Sequence, residues 1–297
     1  MNLVFTTGAD SKLFLNLCIL MDSFAAELPE ETLHICDFGF DGPHRQFLSE
    51  AANLAVTPPH LRSEAQTWKH KASLYDYFAD MDPRPDAIVW FDADMVVLKP
   101  VGAPIRAMAA EMAAADMDGA ACTDSSASDI AGFIAANETP EIDLQAFRVL
   151  IDRYRTDAAS RYLNTGFFIL RSGQFADTWR DETMRQPLFL LYEQNTFNAL
   201  AGAPDTGMRV LDPRVWNVHG DLLGDVAVDG AAAILHTTSE GAHHTMSQFG
   251  VPIGETDVSG ALKVFTRPDL MKIQGDHLMH FLLAHQDLVH RYLGANG

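Results

Sequence analysis

An apolar run that ends on two carboxylates constrains this chain more than any other stretch of it. Residues 88–100 read IVWFDADMVVLKP, with four hydrophobic residues before Asp92 and Met95-Val96-Val97 after Asp94. A short continuous apolar run of this kind is a buried strand. Such a strand ends on Asp92 and Asp94 where a cation meets them, because neighbouring carboxylates repel and a buried unpaired charge is costly. The bare Asp-x-Asp pattern also fits an acidic turn, with one carboxylate capping the next element and the other in water. The apolar flanks on both sides favour a metal site.

The rest of the chain sets that strand in an alternating pattern. Strands are expected at 2–6, 33–38, 54–57, 86–91, 95–98, 118–124, 162–173 (interrupted at Gly166) and 231–239. Helical periodicity is expected over 10–26, 43–52, 64–79, 103–116, 173–185, 190–201 and 276–293. Small polar residues over 125–141 predict a mobile loop or lid. Alternation of strands and helices predicts an α/β fold with a mostly parallel sheet flanked by helices and a C-terminal helical appendage. Without repeats or a composition break, residues 1–240 are expected to be one catalytic domain, with 241–297 a loop and helix packed on it.

Charge narrows the partners. The 297 residues hold 21 Lys and Arg against 40 Asp and Glu, a formal charge of −19, so unspecific binding to nucleic acid or an anionic membrane is disfavoured. A local basic site for phosphate is still compatible with that field. Cys18, Cys36 and Cys122 lack CxxC spacing and read as buried free thiols of a reducing compartment. The N-terminus has no basic segment followed by an apolar core, and no window reaches ~18 uninterrupted apolar residues, so a cytoplasmic protein is expected.

Ligands of open parallel sheets bind at the carboxyl ends of the strands. Thr6-Thr7, Asp92-x-Asp94, Asp124 and His236 are expected at such ends. Two carboxylates and one imidazole are a hard, oxygen-rich set that suits Mn²⁺ or Mg²⁺. His236 taken alone reads more readily as a hydrogen-bonded core residue than as a ligand.

The order strand, Asp-x-Asp, apolar strand, then YLNTGFFIL (162–170), EQNTFNAL (193–200) and a late strand ending in His resembles the GT-A-fold nucleotide-sugar glycosyltransferases, in particular retaining family eight. The resemblance implies a transferase that moves a hexose from a nucleotide diphosphate sugar, such as a UDP-sugar, to an acceptor, with retention. It implies Asp92, Asp94 and His236 as metal ligands, with Asp92 also at the ribose. Thr6, Thr7 and Gly8 would line the nucleoside pocket, and Lys71 or Lys69 in WKHKASLYDYF (68–78) would contact the nucleotide. Asp124 would bind sugar hydroxyls, with Asn164 and Gln194 near the anomeric carbon and acceptor. Locally, Asn164-Thr165-Gly166 also fits a turn or bulge, and Glu193-Gln194 a helix first turn.

The chain departs from that family where a Gly and a Lys-Pro-Trp-like stretch normally follow the metal-binding His. After His236 it reads TTSEGAHHTM, leaving His243, His244 or the more distant Lys263 to do the work of the family's phosphate-holding Lys. Two rival functions also fit the residues. DADMVV with GDLLGD (220–225) matches haloacid-dehalogenase-type phosphohydrolases with Asp92 as nucleophile, although several strands precede Asp92 here. A nucleotide-sugar-binding protein without transfer activity is the other.

Overall fold

The computed structural model describes residues 1–64, 66–238 and 244–294. Its strands are β1 (Leu3–Ala9), β2 (Leu33–Asp37), β3 (Asn53–Ala55), β4 (Ala87–Phe91), β5 (Met95–Val97), β6 (Gly119–Thr123), β7 (Leu163–Arg171), β8 (Met208–Leu211), β9 (Ile234–His236), β10 (His244–Ile253) and β11 (Thr256–Phe265). Seven of them form one mixed, mostly parallel sheet in the order β3-β2-β1-β4-β7-β6-β8. β1, β2 and β3 pair in parallel, as do β6 and β8, whereas β7 runs antiparallel to β6. β5 with β9, and β10 with β11, form two further two-stranded sheets.

By contacts the chain divides into two compact units, each assembled from separated segments. One unit holds Met1–Leu3, His60–Trp90 and Pro104–Pro213. Its core is aromatic: Trp90 stacks on Phe168, and Trp179 and Phe197 pack edge-on behind them at centroid distances of 5.6 Å (Phe168–Trp179) and 5.1 Å (Trp179–Phe197). These contacts seat helices Gln174–Arg185 and Tyr192–Ala201 on β7, combining large buried area with favourable ring geometry. The register of β7 against β6 slips here, because Ala121 faces Phe168 while Cys122 faces Asn164. Gly166 lies inside that slip, so the interruption expected at Gly166 is a bulge within a continuous strand.

The other unit holds Val4–Pro59, Phe91–Ala103 and the chain from Arg214 onward. Helix Phe14–Glu27 packs against helix Pro268–Ala284, and Phe14, Phe47 and Phe281 join one apolar cluster with Leu15, Val258 and Leu262. His277 and His280 place Nδ1 at 2.8 and 2.6 Å from the Asp22 carboxylate, which ties the late helix to the early one while the His280 ring stays exposed.

Several local expectations change. Stretch 125–141 contains helix Ile130–Asn137, started by Asp129 accepting the Gly132 amide at 2.7 Å. The helix expected over 64–79 is two short pieces, Trp68–Ala72 and Leu74–Tyr77. The last long helix begins earlier than expected, on Pro268, where a missing N–H costs nothing. Before it runs a hairpin, β10–β11, where a loop was expected. Its two-residue turn uses Gly254 at φ 60°, a conformation that favours glycine. The hairpin is not legible in the sequence because half of the β10 side chains are exposed and the strand carries no clean apolar alternation.

Gly119 is tightly enclosed in the β6–β7 pairing: a Cβ there would lie 2.8 Å from the Ile169 carbonyl oxygen. A backbone atom cannot swing aside as a side chain can. Gly119→Ala is therefore expected to lower unfolding free energy by about 1–3 kcal/mol in urea denaturation.

Candidate active site

The Asp-x-Asp turn and β9 build one acidic centre inside the second unit. β5 pairs antiparallel with β9 so that Met95 faces His236, which brings the ring beside the neighbouring Asp94. His236 thus sits on a separate two-stranded sheet, not at a strand end of the main one as expected. The Thr237 amide and hydroxyl both donate to the Asp94 carbonyl, at 3.0 and 2.8 Å, locking the two segments together.

Asp92, Asp94 and His236 each offer a ligand atom, all within 4.8 Å of one another. His236 Nε2 lies 3.1 Å from Asp94 Oδ1 and 3.5 Å from Asp92 Oδ2. On its far side, His236 Nδ1 lies 2.9 Å from the side-chain oxygen of Asn217, an acceptor, so Nδ1 is the donor. Nε2 then faces two carboxylates either as the second N–H of an imidazolium or as a ligand to a cation among them. Orientation of a metal-binding imidazole by a hydrogen bond on its other nitrogen is the usual supporting arrangement. Two carboxylate oxygens and one nitrogen fit Mn²⁺ or Mg²⁺.

A further cation is built in. Lys263, on β11, places Nζ 2.6 Å from Asp94 Oδ2. Burial by itself pushes the Asp94 carboxyl up, but the Lys263 ammonium and His236, by charge and hydrogen bond, hold it well below the usual carboxylate range. His244 lies in the same field. Burial first, then the Lys263 charge, lowers its pKa, against an opposing pull from Asp94. Of the three candidates for the missing Lys, Lys263 therefore supplies a charge at Asp94; His243 lies outside the described residues.

The first unit carries a separate polar cluster on β7, the loop after β6 and helix Tyr192–Ala201. Asp124 Oδ1 accepts the Ser126 amide and hydroxyl at 2.8 and 2.7 Å. Its Oδ2 accepts Asn164 Nδ2 at 2.9 Å and Gln194 Nε2 at 3.3 Å. Asn164, Gln194 and Asp124, expected from the sequence to act on the sugar, are thus brought together. Beside them Lys71 Nζ meets Glu193 Oε1 at 3.1 Å and lies 5.4 Å from the centre of the Trp90 ring. Thr165 donates its hydroxyl to Glu193 at 3.0 Å.

The helix that presents Glu193 and Gln194 is fixed by main-chain mimicry. Asn198 Oδ1 accepts the Leu163 amide at 2.6 Å and its Nδ2 donates to the Leu163 carbonyl at 2.8 Å. Trp179 Nε1 donates to the Glu193 carbonyl at 3.0 Å. Glu193 and Gln194 do lie in the first turn of this helix, as the sequence alternative has it, and both are buried there. Lys71 is likewise buried in an ion pair, not on a solvated face.

Thr6, Thr7 and Gly8 lie within β1, which continues to Ala9, rather than at its end. The Thr6 hydroxyl donates to the His34 carbonyl at 3.0 Å, and the Phe38 ring fills the space beside Gly8. Thr7 Oγ1 is buried without a hydrogen-bond partner. Lys69 pairs with Glu64 at 3.5 Å. Asp221 and Asp225 of GDLLGD flank the short helix Leu222–Asp225 and belong to no metal-holding group among the described residues. Sequence reasoning missed Asn217, which bears no motif; Thr165 and Glu193 were visible only as members of the Asn-Thr-Gly and Glu-Gln-Asn stretches.

No protein-family model and no curated protein matches this chain in sequence. Its fold is nevertheless shared with solved glycosyltransferases. The galactosyltransferase LgtC in complex with donor and acceptor sugar analogues aligns over 78% of this chain and 86% of its own, at 16% identity and a TM-score of 0.51. An active-site mutant of LgtC gives the same coverage and identity with a TM-score of 0.50. The apo bifunctional glycosyltransferase WbbM aligns over 81% of this chain but 46% of its own, at 12% identity and a TM-score of 0.56. The chain has a GT-A-type α/β fold. Among the described residues no helix is long and apolar enough to cross a membrane.

The Lys71–Glu193 pair is buried on both sides, so removing one partner strands the other charge. Lys71→Met is expected to cost about 3–5 kcal/mol in chemical denaturation. Adding Glu193→Gln should return part of that loss, since the double variant buries no lone carboxylate.

Proposed function

We propose that this protein is a metal-dependent glycosyltransferase that moves a hexose from a nucleotide diphosphate sugar, a UDP-sugar, to an acceptor hydroxyl with retention of configuration. The observation that carries the proposal is the convergence of Asp92, Asp94 and His236 with Lys263 beside them, on a fold shared with glycosyltransferases. LgtC was solved with donor and acceptor sugar analogues, which supports a sugar donor and a sugar-like acceptor here.

In this reading Asp92, Asp94 and His236 hold Mn²⁺ or Mg²⁺. The ion would supply charge neutralisation for the diphosphate leaving group. Asp92 also meets the ribose, Lys263 pairs with the diphosphate, and Thr6, Thr7 and Gly8 serve the nucleoside. Asp124, with Asn164 and Gln194 fixing its carboxylate, accepts hydrogen bonds from the sugar hydroxyls. Lys71 acts through Glu193, holding the start of the helix that carries Gln194.

The bond between the anomeric carbon and the diphosphate oxygen breaks, and its electron pair stays on the diphosphate. The acceptor oxygen bonds to that carbon on the face the diphosphate leaves, and the acceptor proton passes to a diphosphate oxygen. The chain contributes positioning and fixed electrostatics rather than a nucleophile.

A thermal-shift screen of UDP-, GDP- and ADP-sugars with Mn²⁺ is expected to show stabilisation by UDP-sugars that disappears with chelator. Asp94→Ala should abolish Mn²⁺-dependent UDP binding in calorimetry. Unchanged UDP affinity in that variant would overturn the metal-site reading.

A further inference from the structure

Lys263 is held with more care than a surface ion pair requires. Asn16 Nδ2 donates to the Lys263 carbonyl at 3.1 Å, and the Lys263 amide donates to Asn16 Oδ1 at 3.0 Å. Gln274 Nε2 donates to the same carbonyl at 3.1 Å, while its Oε1 accepts the Phe265 amide at 2.9 Å. Both amide side chains are 1% exposed. They come from the early and late helices and saturate the outer edge of β11 at this one position, where an edge strand would otherwise present bare main-chain groups. The main chain is fixed, and only the flexible stem and the ammonium of Lys263 keep freedom to move.

That ammonium takes Asp94 Oδ2, while Asp94 Oδ1 and Asp92 Oδ2 face His236. A divalent ion chelated by the same carboxylate would lie close to the Lys263 ammonium, and the two cations would compete for Asp94. A diphosphate brought with the metal offers the ammonium another anionic partner within the sweep of a lysine side chain.

We infer that Lys263 is a resident counter-cation of Asp94 that passes to the donor's diphosphate when metal and nucleotide bind together. Metal alone then binds weakly and metal with nucleotide binds tightly, and by linkage each strengthens the other by the same factor. This rests on reading the acidic centre as the donor's metal site, and it adds the order of events there: Lys263 yields Asp94 to the ion only as the diphosphate arrives.

The test is Mn²⁺ titration followed by electron paramagnetic resonance of the free ion, with and without UDP, on the intact protein, Lys263→Met and Lys263→Arg. Lys263→Met keeps the apolar stem and removes the charge. It should bind Mn²⁺ alone on the order of tenfold more tightly, and UDP should enhance that binding on the order of tenfold less than in the unaltered protein. Lys263→Arg keeps the charge and should retain both behaviours. Equal Mn²⁺ affinity in the unaltered protein and Lys263→Met overturns the inference while leaving the metal site standing. Weaker binding in Lys263→Met, as a collapsed site would give, also overturns it. Mn²⁺ binding by neither protein overturns the metal-site reading and the inference together.

Discussion

An ionised carboxylate at Asp94, 5% exposed, exists only because the Lys263 ammonium and the His236 ring meet it there. The strand before it, β4, ends three residues earlier, and the partners arrive from far along the chain: His236 from β9 and Lys263 from β11. Much of the second unit can be understood as the support this requires. The pairing of β5 with β9 aligns His236, Asn217 fixes which imidazole nitrogen faces the acids, and Asn16 with Gln274 fix the strand that carries Lys263.

The same device recurs in the first unit with different residues. Side-chain amides stand in for a missing strand partner and set a chemical group by gripping its main chain. Asn198 does this to Leu163 at the start of β7, and the β6–β7 bulge follows immediately with Asn164 and Thr165. Helix Tyr192–Ala201 is consequently held by polar bonds on the face that bears Glu193 and Gln194, and by Trp179 and Phe197 beneath. Rigid, hydrogen-bonded support of this type is what preorganised electrostatics needs, because a polar group that must reorient during a reaction stabilises less. His236, Lys263, Glu193 and Gln194 therefore stand on strand and helix backbone, and Asp92, Asp94 and Asp124 sit in the connections directly after β4 and β6.

Much of this was legible before any coordinates. The apolar runs at 86–91 and 162–173, and the helices over 10–26, 43–52 and 103–116, appear with boundaries close to those expected, because each is a strongly patterned segment buried in one of the cores. The segments that escaped were those whose order depends on neighbours. Helix Ile130–Asn137 lies in a stretch of small polar residues, and on β10 of the β10–β11 hairpin only two residues are buried. Lys263 could be suspected from the absent Lys segment after His236, but Asn217, Asn16 and Gln274 could not, since a lone amide carries no pattern until its partner is placed.

The sequence by itself determined that an acidic pair ends a buried strand of an α/β protein, and that a hard divalent cation suits it. It also determined the order of motifs by which the chain resembles GT-A-fold transferases, because strand periodicity, charge and residue spacing are local properties. Only the tertiary structure decided that His236 and Lys263 meet at opposite oxygens of Asp94 and that Lys71 is spent on Glu193. Those outcomes depend on through-space distances of a few ångströms between residues more than a hundred positions apart. Coulomb energy and hydrogen bonding respond to that separation, and no local pattern in the chain encodes it.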